Sequence, residues 1–240
     1  DSRVDKHYHP KFQEEYSAKI PALTLLTSLG WTFLSPKQIM DYRGYKQDEV
    51  VLRPVLREEL SKRSFMAGGK NCQLSEKALD NLISQVCSPA LNEGLLKANE
   101  RMYNHLLYGI AVTEFVDGKK VNPTIALIDW EHPENNQFHF TEEFTVLRSG
   151  GVETRRPDIV CFVNGIPLAV IEAKSPAGHG KKGPTIDEGI SQSIRNQFND
   201  EIPQLFVYSQ LLLSINGHDG RYGTCHTPMK FWAAWREEDI

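Results

Sequence analysis

The sequence predicts an α/β fold: a mixed β-sheet flanked by helices, with a mainly helical insertion near the N-terminus over residues 36–88. Three observations carry this. Before Gly109, apolar residues recur at helical spacing. From Ile110 the apolar period changes to two. Residues 155–174 then read as two apolar strands around Asn164-Gly165, a strong hairpin signal.

The totals set the limits. The chain has 240 residues, is 40% hydrophobic and carries a formal charge of -4, which suits one domain over 1–240. The acidic balance argues against broad adhesion to nucleic acid, yet a local basic groove stays compatible with it. Cys72, Cys87, Cys161 and Cys225 form no C-x-x-C pair, so neither zinc nor a disulfide framework is indicated. Cys161 is expected as a small buried thiol inside a core strand. No apolar run reaches the length of a membrane span and no signal peptide is visible, so no membrane association and a reducing, cytoplasmic setting are expected.

In chain order, residues 1–9 are polar and read as a frayed terminus, although His7-x-His9 has metal-ligand chemistry. Phe12, Tyr16, Ile20, Leu23 and Leu26 form a helical stripe that stops near Leu29-Gly30, with a kink or break expected at Pro21. Helices are predicted over Asp48–Ser64 and Ser75–Val86, joined by a loop at Ala67-Gly68-Gly69-Lys70. That loop lacks the preceding strand and full glycine spacing of a phosphate-binding loop. Ser88-Pro89 reads as the start of a helix whose core face is Leu91, Leu95, Ala98, Met102 and Leu106, ending at Gly109.

Strands are predicted over Ile110–Val116, Thr124–Asp129, Gln137–Phe140 and Phe144–Arg148, with turns at Asp117-Gly118 and 133–136. After the central hairpin, Ser175–Pro184 is a Gly-, Lys- and Pro-rich loop. Thr185-x-x-Glu188 reads as a capping box for a helix with Ile186, Ile190 and Ile194 inward, ended by Pro203. Leu205–Ile215 reads as one buried strand, Tyr222–Thr227 as a short strand and Met229–Arg236 as a short helix.

The hairpin is where chemistry concentrates. Asp158 opens its first strand; Glu172 and Lys174 close its second. Charge at an apolar strand end is expensive unless it is paired or holds a metal. Glu172 and Lys174 are two apart and share a face. A plain two-residue loop pairs Asp158 with Ile171 and sends Glu172 to the other face. Bringing Asp158 to the face of Glu172 requires either a three-residue loop or a bulge, and one of these is predicted. The two carboxylates would then form a hard oxygen site suited to Mg²⁺ or Mn²⁺. The lysine beside them can orient water or offset charge on a phosphate. Gln192, Arg195 and Asn196 lie off the isoleucine stripe of the next helix. A glutamine there can hold a phosphate, a base edge or a metal-bound water.

Pro157-Asp158 followed by Glu172-Ala173-Lys174 across a hairpin resembles the PD-(D/E)xK nuclease signature. More of the chain resembles the N-terminal nuclease part of the R (restriction) subunit of type I restriction-modification enzymes. The matching text includes Asn104–Ile110, Leu127-Ile128-Asp129-Trp130-Glu131, Arg156–Val160, Asn164–Leu168, Ile202–Tyr208 and Gly220–Thr224. The resemblance spans most of residues 12–235.

It implies a restriction-endonuclease-like fold that cleaves double-stranded DNA with Mg²⁺, Asp158 and Glu172 holding the metal and Lys174 assisting the attacking water. That family carries Gln-x-x-x-Tyr on the following helix; Gln192 matches and Asn196 stands where the tyrosine would be. Related nucleases place a glutamate on an early helix near the metal, which Glu15 or Glu14 would supply. DNA contact is expected mainly at phosphates, through Arg155, Arg156, Lys181 and Lys182, with Asn196 beside them. The resemblance also implies methyltransferase and specificity subunits as partners and an ATP-driven translocase motor. No G-x-x-x-x-G-K-[ST] is present, so the chain reads as a piece ending before that motor, with ATP acting only through it. Two alternatives remain: a non-cleaving nuclease-fold module that binds DNA or subunits, and a junction or recombination nuclease.

Overall fold

The computed structural model describes residues 18–175 and 185–236. The chain opens with α1 (Ile20–Ser28), β1 (Thr32–Phe33), α2 (Pro36–Tyr42) and α3 (Arg53–Leu60). A hairpin of β2 (Ser64–Ala67) and β3 (Lys70–Gln73) precedes α4 (Glu76–Cys87) and α5 (Leu95–Tyr108). Short strands follow: β4 (Ile110–Ala111), β5 (Glu114–Val116), β6 (Lys119–Val121) and β7 (Thr124–Ile125). Then come β8 (Phe138–Glu142), β9 (Val146–Leu147), β10 (Thr154–Arg155) and the central pair β11 (Ile159–Val163) and β12 (Ile166–Ala173). The described residues finish with α6 (Ile186–Asn196), α7 (Pro203–Phe206), β13 (Leu211–Ile215), β14 (Gly220–Gly223) and β15 (Ala233–Ala234).

Seven strands lie side by side in the order β1-β8-β11-β12-β13-β14-β15. β1 with β8 and β12 with β13 pair parallel. The other neighbours pair antiparallel. This is the mixed sheet between helices that the sequence predicts. Alternation sends Val160, Phe162, Val170 and Leu212 into the main core, where Ile190 of α6 and residues of α3, α4 and α5 meet them. Ile159, Cys161 and Ile171 point to the other face, against Leu23 and Leu26 of α1. Burial holds the Cys161 thiol protonated, pushing its pKa up to about 12.

The far end of the hairpin is pinned. Val163 pairs with Ile166, so Asn164-Gly165 is a two-residue loop with φ of 51° and 80°. Both central residues at positive φ make the turn whose twist matches the strands. The Gly165 carbonyl accepts from the Leu52 amide at 2.9 Å, at the start of α3. Asn164, with no exposed surface, accepts from the Gln137 amide at 2.8 Å and donates to the Leu127 carbonyl and Asn136 Oδ1, both at 2.9 Å.

Several boundaries differ from the expectation, each for a local reason. Pro21 sits in the first turn of α1, where the missing N–H costs nothing, rather than kinking it. Pro54 likewise starts α3, later than Asp48. Gly68-Gly69 is the turn of a β2–β3 hairpin rather than an interhelical loop, set among the helices of the 36–88 segment. Gly-Gly between alternating residues is itself a hairpin signal. Ser88 closes α4 instead of opening α5, which begins after Gly94; Leu95, Ala98, Met102 and Leu106 do face the core, while Leu91 is exposed. Thr185 makes no side-chain cap, so the capping box is absent. α6 ends at Asn196, and Pro203 opens α7 rather than ending a helix. The apolar run from Leu205 therefore splits between α7 and β13. The predicted last helix is a short turn, Met229–Phe231, followed by β15. Among the described residues no helix is long and apolar enough to cross a membrane.

Candidate active site

A bulge settles the parity of the hairpin. Val163 pairs with Ile166 and Phe162 with Pro167, but Cys161 pairs with Ala169, leaving Leu168 as the extra residue. Proline has no N–H to give the ladder and is confined to edges and bulges within sheets. Past the bulge, Val160 faces Val170 and Ile159 faces Ile171, so the next step sets Asp158 against Glu172. The predicted bulge is present and the three-residue loop is not.

The geometry at the mouth is tight. Asp158 Oδ2 accepts from the Ala173 amide at 2.8 Å. The Asp158 carboxylate is close enough to Glu172 to act on its titration. Glu172 is 4% exposed, and burial and then the charge of Asp158 push its pKa well above the usual carboxylate range; Lys174 pulls the other way. Lys174 is also buried, and its amide donates to the Ile215 carbonyl at 2.8 Å.

Helix α6 makes the burial. Glu172 pairs with Ser214 of β13, and Ser214 Oγ donates to the Ile186 carbonyl in the first turn of α6 at 2.8 Å. A Cβ at Gly189 would lie 2.2 Å from Ser214 Oγ and 3.3 Å from Glu172 Cβ, so only glycine lets the helix sit this close. Half-buried Gln192 stands three residues beyond Gly189, on the same side of the helix. Gly189 and Ser214 were not among the residues singled out from the sequence. A lone glycine inside a helical pattern was the available signal for the first; for Ser214, a small hydroxyl in an apolar strand, there was none.

Other expectations fare differently. Asn196 does not face away from the core: it is 2% exposed and its Oδ1 accepts from Arg195 Nη2 at 3.0 Å. The helix turns it inward because Ser193 and Gln197, on either side, are buried too. Arg155 is engaged by Glu201 through two contacts, 2.6 and 2.9 Å, so its expected phosphate contact needs that pair to open. Arg156, more exposed, pairs with Glu143 at 2.5 Å. Glu14, Glu15, His7, His9, Lys181 and Lys182 lie outside the described residues. Among the described residues no cluster of three or more His, Cys, Asp or Glu could hold a metal. The pair Asp158 and Glu172 nevertheless fits a magnesium ion, which keeps several waters and commonly takes one or two carboxylates.

Comparison with known proteins places the chain as a whole. The family model described as type I restriction enzyme R protein N terminus matches residues 11–231. The chain is 30% identical to the type I restriction enzyme HindI endonuclease subunit of Haemophilus influenzae, over 92% of this chain and 20% of that protein. It is 27% identical to the putative type I restriction enzyme MjaIXP endonuclease subunit of Methanocaldococcus jannaschii, over 89% of this chain and 20% of that protein. It is 30% identical to the type I restriction enzyme EcoprrI endonuclease subunit of Escherichia coli, over 55% of this chain and 38% of that protein. The chain thus spans about 20% of the length of the first two relatives.

Proposed function

This chain belongs to the family of type I restriction enzyme R protein N termini, and from that premise we propose that it is a Mg²⁺-dependent endonuclease domain that hydrolyses phosphodiesters of double-stranded DNA. The observation that carries the reading is the convergence of Asp158 and Glu172 at the hairpin mouth, with Lys174 just past the end of β12. Asp158 and Glu172 would hold Mg²⁺, or Mn²⁺ in its place, with Glu15 or Glu14 as the early-helix acid. A bound divalent ion supplies a Lewis acid and lowers the pKa of water.

The chain's own residues do the rest. Asp158 is held by the Ala173 amide and Glu172 lies against α6, so both acids are set at the mouth before metal or DNA arrives. Lys174 brings a cation to the same face, to orient the attacking water or offset charge on the phosphate. Gln192 offers a donor and an acceptor to the same space. Burial under α6 keeps bulk water from screening these charges. DNA would be held mainly by its phosphates, through Arg156, Lys181 and Lys182. Sequence choice, ATP-driven movement, the methyltransferase and specificity subunits and a cytoplasmic setting belong to the longer protein in this reading.

The test is Lys174→Ala in the full-length subunit assembled with its partners. DNA cleavage should fall by about a hundredfold or more, with DNA-dependent ATP hydrolysis retained. Cleavage at the wild-type rate would refute the assignment.

A further inference from the structure

Beside the mouth, one residue sits in a backbone conformation that its side chain does not favour. Glu143 has φ +53°, in the left-handed region that suits glycine or asparagine. Such strain persists only where the surroundings over-determine it, and it marks positions with a task. Its surroundings are specific. The Glu143 amide donates to the Asp158 carbonyl at 2.9 Å, and the next amide, of Phe144, donates to the Pro157 carbonyl at 3.0 Å. Its carboxylate is split between two cations: Oε1 meets Lys19 Nζ at 2.5 Å and Oε2 meets Arg156 Nε at 2.5 Å. Lys19 is 8% exposed and also meets Glu142 Oε2 at 3.1 Å.

Resting on the nuclease reading above, we propose that Glu143 is a positioning residue of the site. It grips Arg156 and Lys19 so that Asp158, held by the Glu143 amide, keeps its carboxylate on the Glu172 side. Three chain segments meet in that one side chain: the start of α1, the end of β8 and the approach to β11. Arg156 stands two residues before Asp158. Among the described ion pairs Arg156 is held by Glu143, so without Glu143 its guanidinium is released two residues from Asp158. Lys19 keeps Glu142 when Glu143 is lost, so the buried ammonium is not orphaned. The consequence therefore falls on Asp158 and Arg156 rather than on the fold. Partners that orient metal ligands typically change metal affinity by about 10–100-fold when removed.

The experiment compares Glu143→Asn, whose side chain accepts positive φ, with Asp158→Ala and the unaltered protein. Mn²⁺ affinity and thermal midpoint are measured on this chain, and cleavage of plasmid DNA on the full-length subunit in its complex. For Glu143→Asn the expected result is an unchanged or higher midpoint, Mn²⁺ binding weakened about tenfold, and a lower kcat with KM for DNA little altered. Mn²⁺ affinity and kcat within twofold of wild type, while Asp158→Ala loses both, overturn the positioning role alone. So does a lowered midpoint with Mn²⁺ affinity of the folded protein unchanged. Mn²⁺ binding that survives Asp158→Ala overturns the metal reading, and this proposal with it.

Discussion

Asp158 Oδ2 accepts a hydrogen bond from the Ala173 amide at 2.8 Å, across the mouth of the hairpin. The acid is thereby fastened to the backbone between Glu172 and Lys174. Two functions of one carboxylate can be separated on this basis. Asp158→Asn keeps an acceptor for the amide, so stability should stay within about 1 kcal/mol of wild type. Asp158→Ala leaves the amide unsatisfied and should cost about 1–3 kcal/mol. Both should lose calorimetric Mg²⁺ or Mn²⁺ binding. Denaturant melts and metal titrations of the pair check this; an alanine variant that binds metal normally refutes the ligand role.

The buried Glu172 predicts an unusual pH dependence. Its folded pKa lies well above the 4.5 of the unfolded chain, raised first by burial and then by Asp158. The folded state then binds more protons than the unfolded one between those two values, so metal-free stability should fall as pH rises through that window. The slope can reach about 1.4 kcal/mol per pH unit for one group. Glu172→Gln should remove this component, leaving the metal-free protein more stable than wild type at pH 8 while abolishing cleavage. Excess Mg²⁺ should flatten the wild-type curve and release protons on binding. A wild-type curve without the decline, in urea melts from pH 4 to 9, would falsify the shift.

Gly189 tests the lid over the acids. Alanine is the better helix former by about 1 kcal/mol, yet its methyl would meet Ser214 Oγ at 2.2 Å. Ser214 is fully buried and bonded to Ile186, which leaves it little room to yield. Gly189→Ala should therefore lose about 1–3 kcal/mol and reduce cleavage further than the stability loss explains. Adding Ser214→Gly should recover much of both. Melts and cleavage rates of the single and double variants decide it, and a more stable, fully active single variant contradicts the packing.

Asn164 is the control at the opposite end of the hairpin. Asn164→Asp would turn a carboxylate oxygen toward the Leu127 carbonyl and Asn136 Oδ1, both acceptors. A loss of about 3 kcal/mol or more is expected, with metal affinity of the folded protein unchanged. The denaturation midpoint and a metal titration read the two effects separately.

Local rules explain what was legible. The Asn164-Gly165 turn, the shared face of Glu172 and Lys174, the core stripe of α5 and the need for a parity correction follow from periods of two and 3.6 and from turn chemistry. Structure and local pattern part where a proline or glycine is compatible with two roles. Pro54 and Pro203 begin helices, and Gly68-Gly69 turns a hairpin.

The order of residues by itself determined that an apolar hairpin must carry an acid at one strand end and an acid and a lysine at the other, because charge and alternation are written along the chain. Only the tertiary structure decided that Leu168 is the bulged residue bringing Asp158 round to Glu172, that Gly189 and Ser214 bury the pair, that Glu201 takes Arg155, and that Asn196 turns inward. Those outcomes depend on which distant segments share space, and burial and ion pairing act through distance in space rather than separation along the chain.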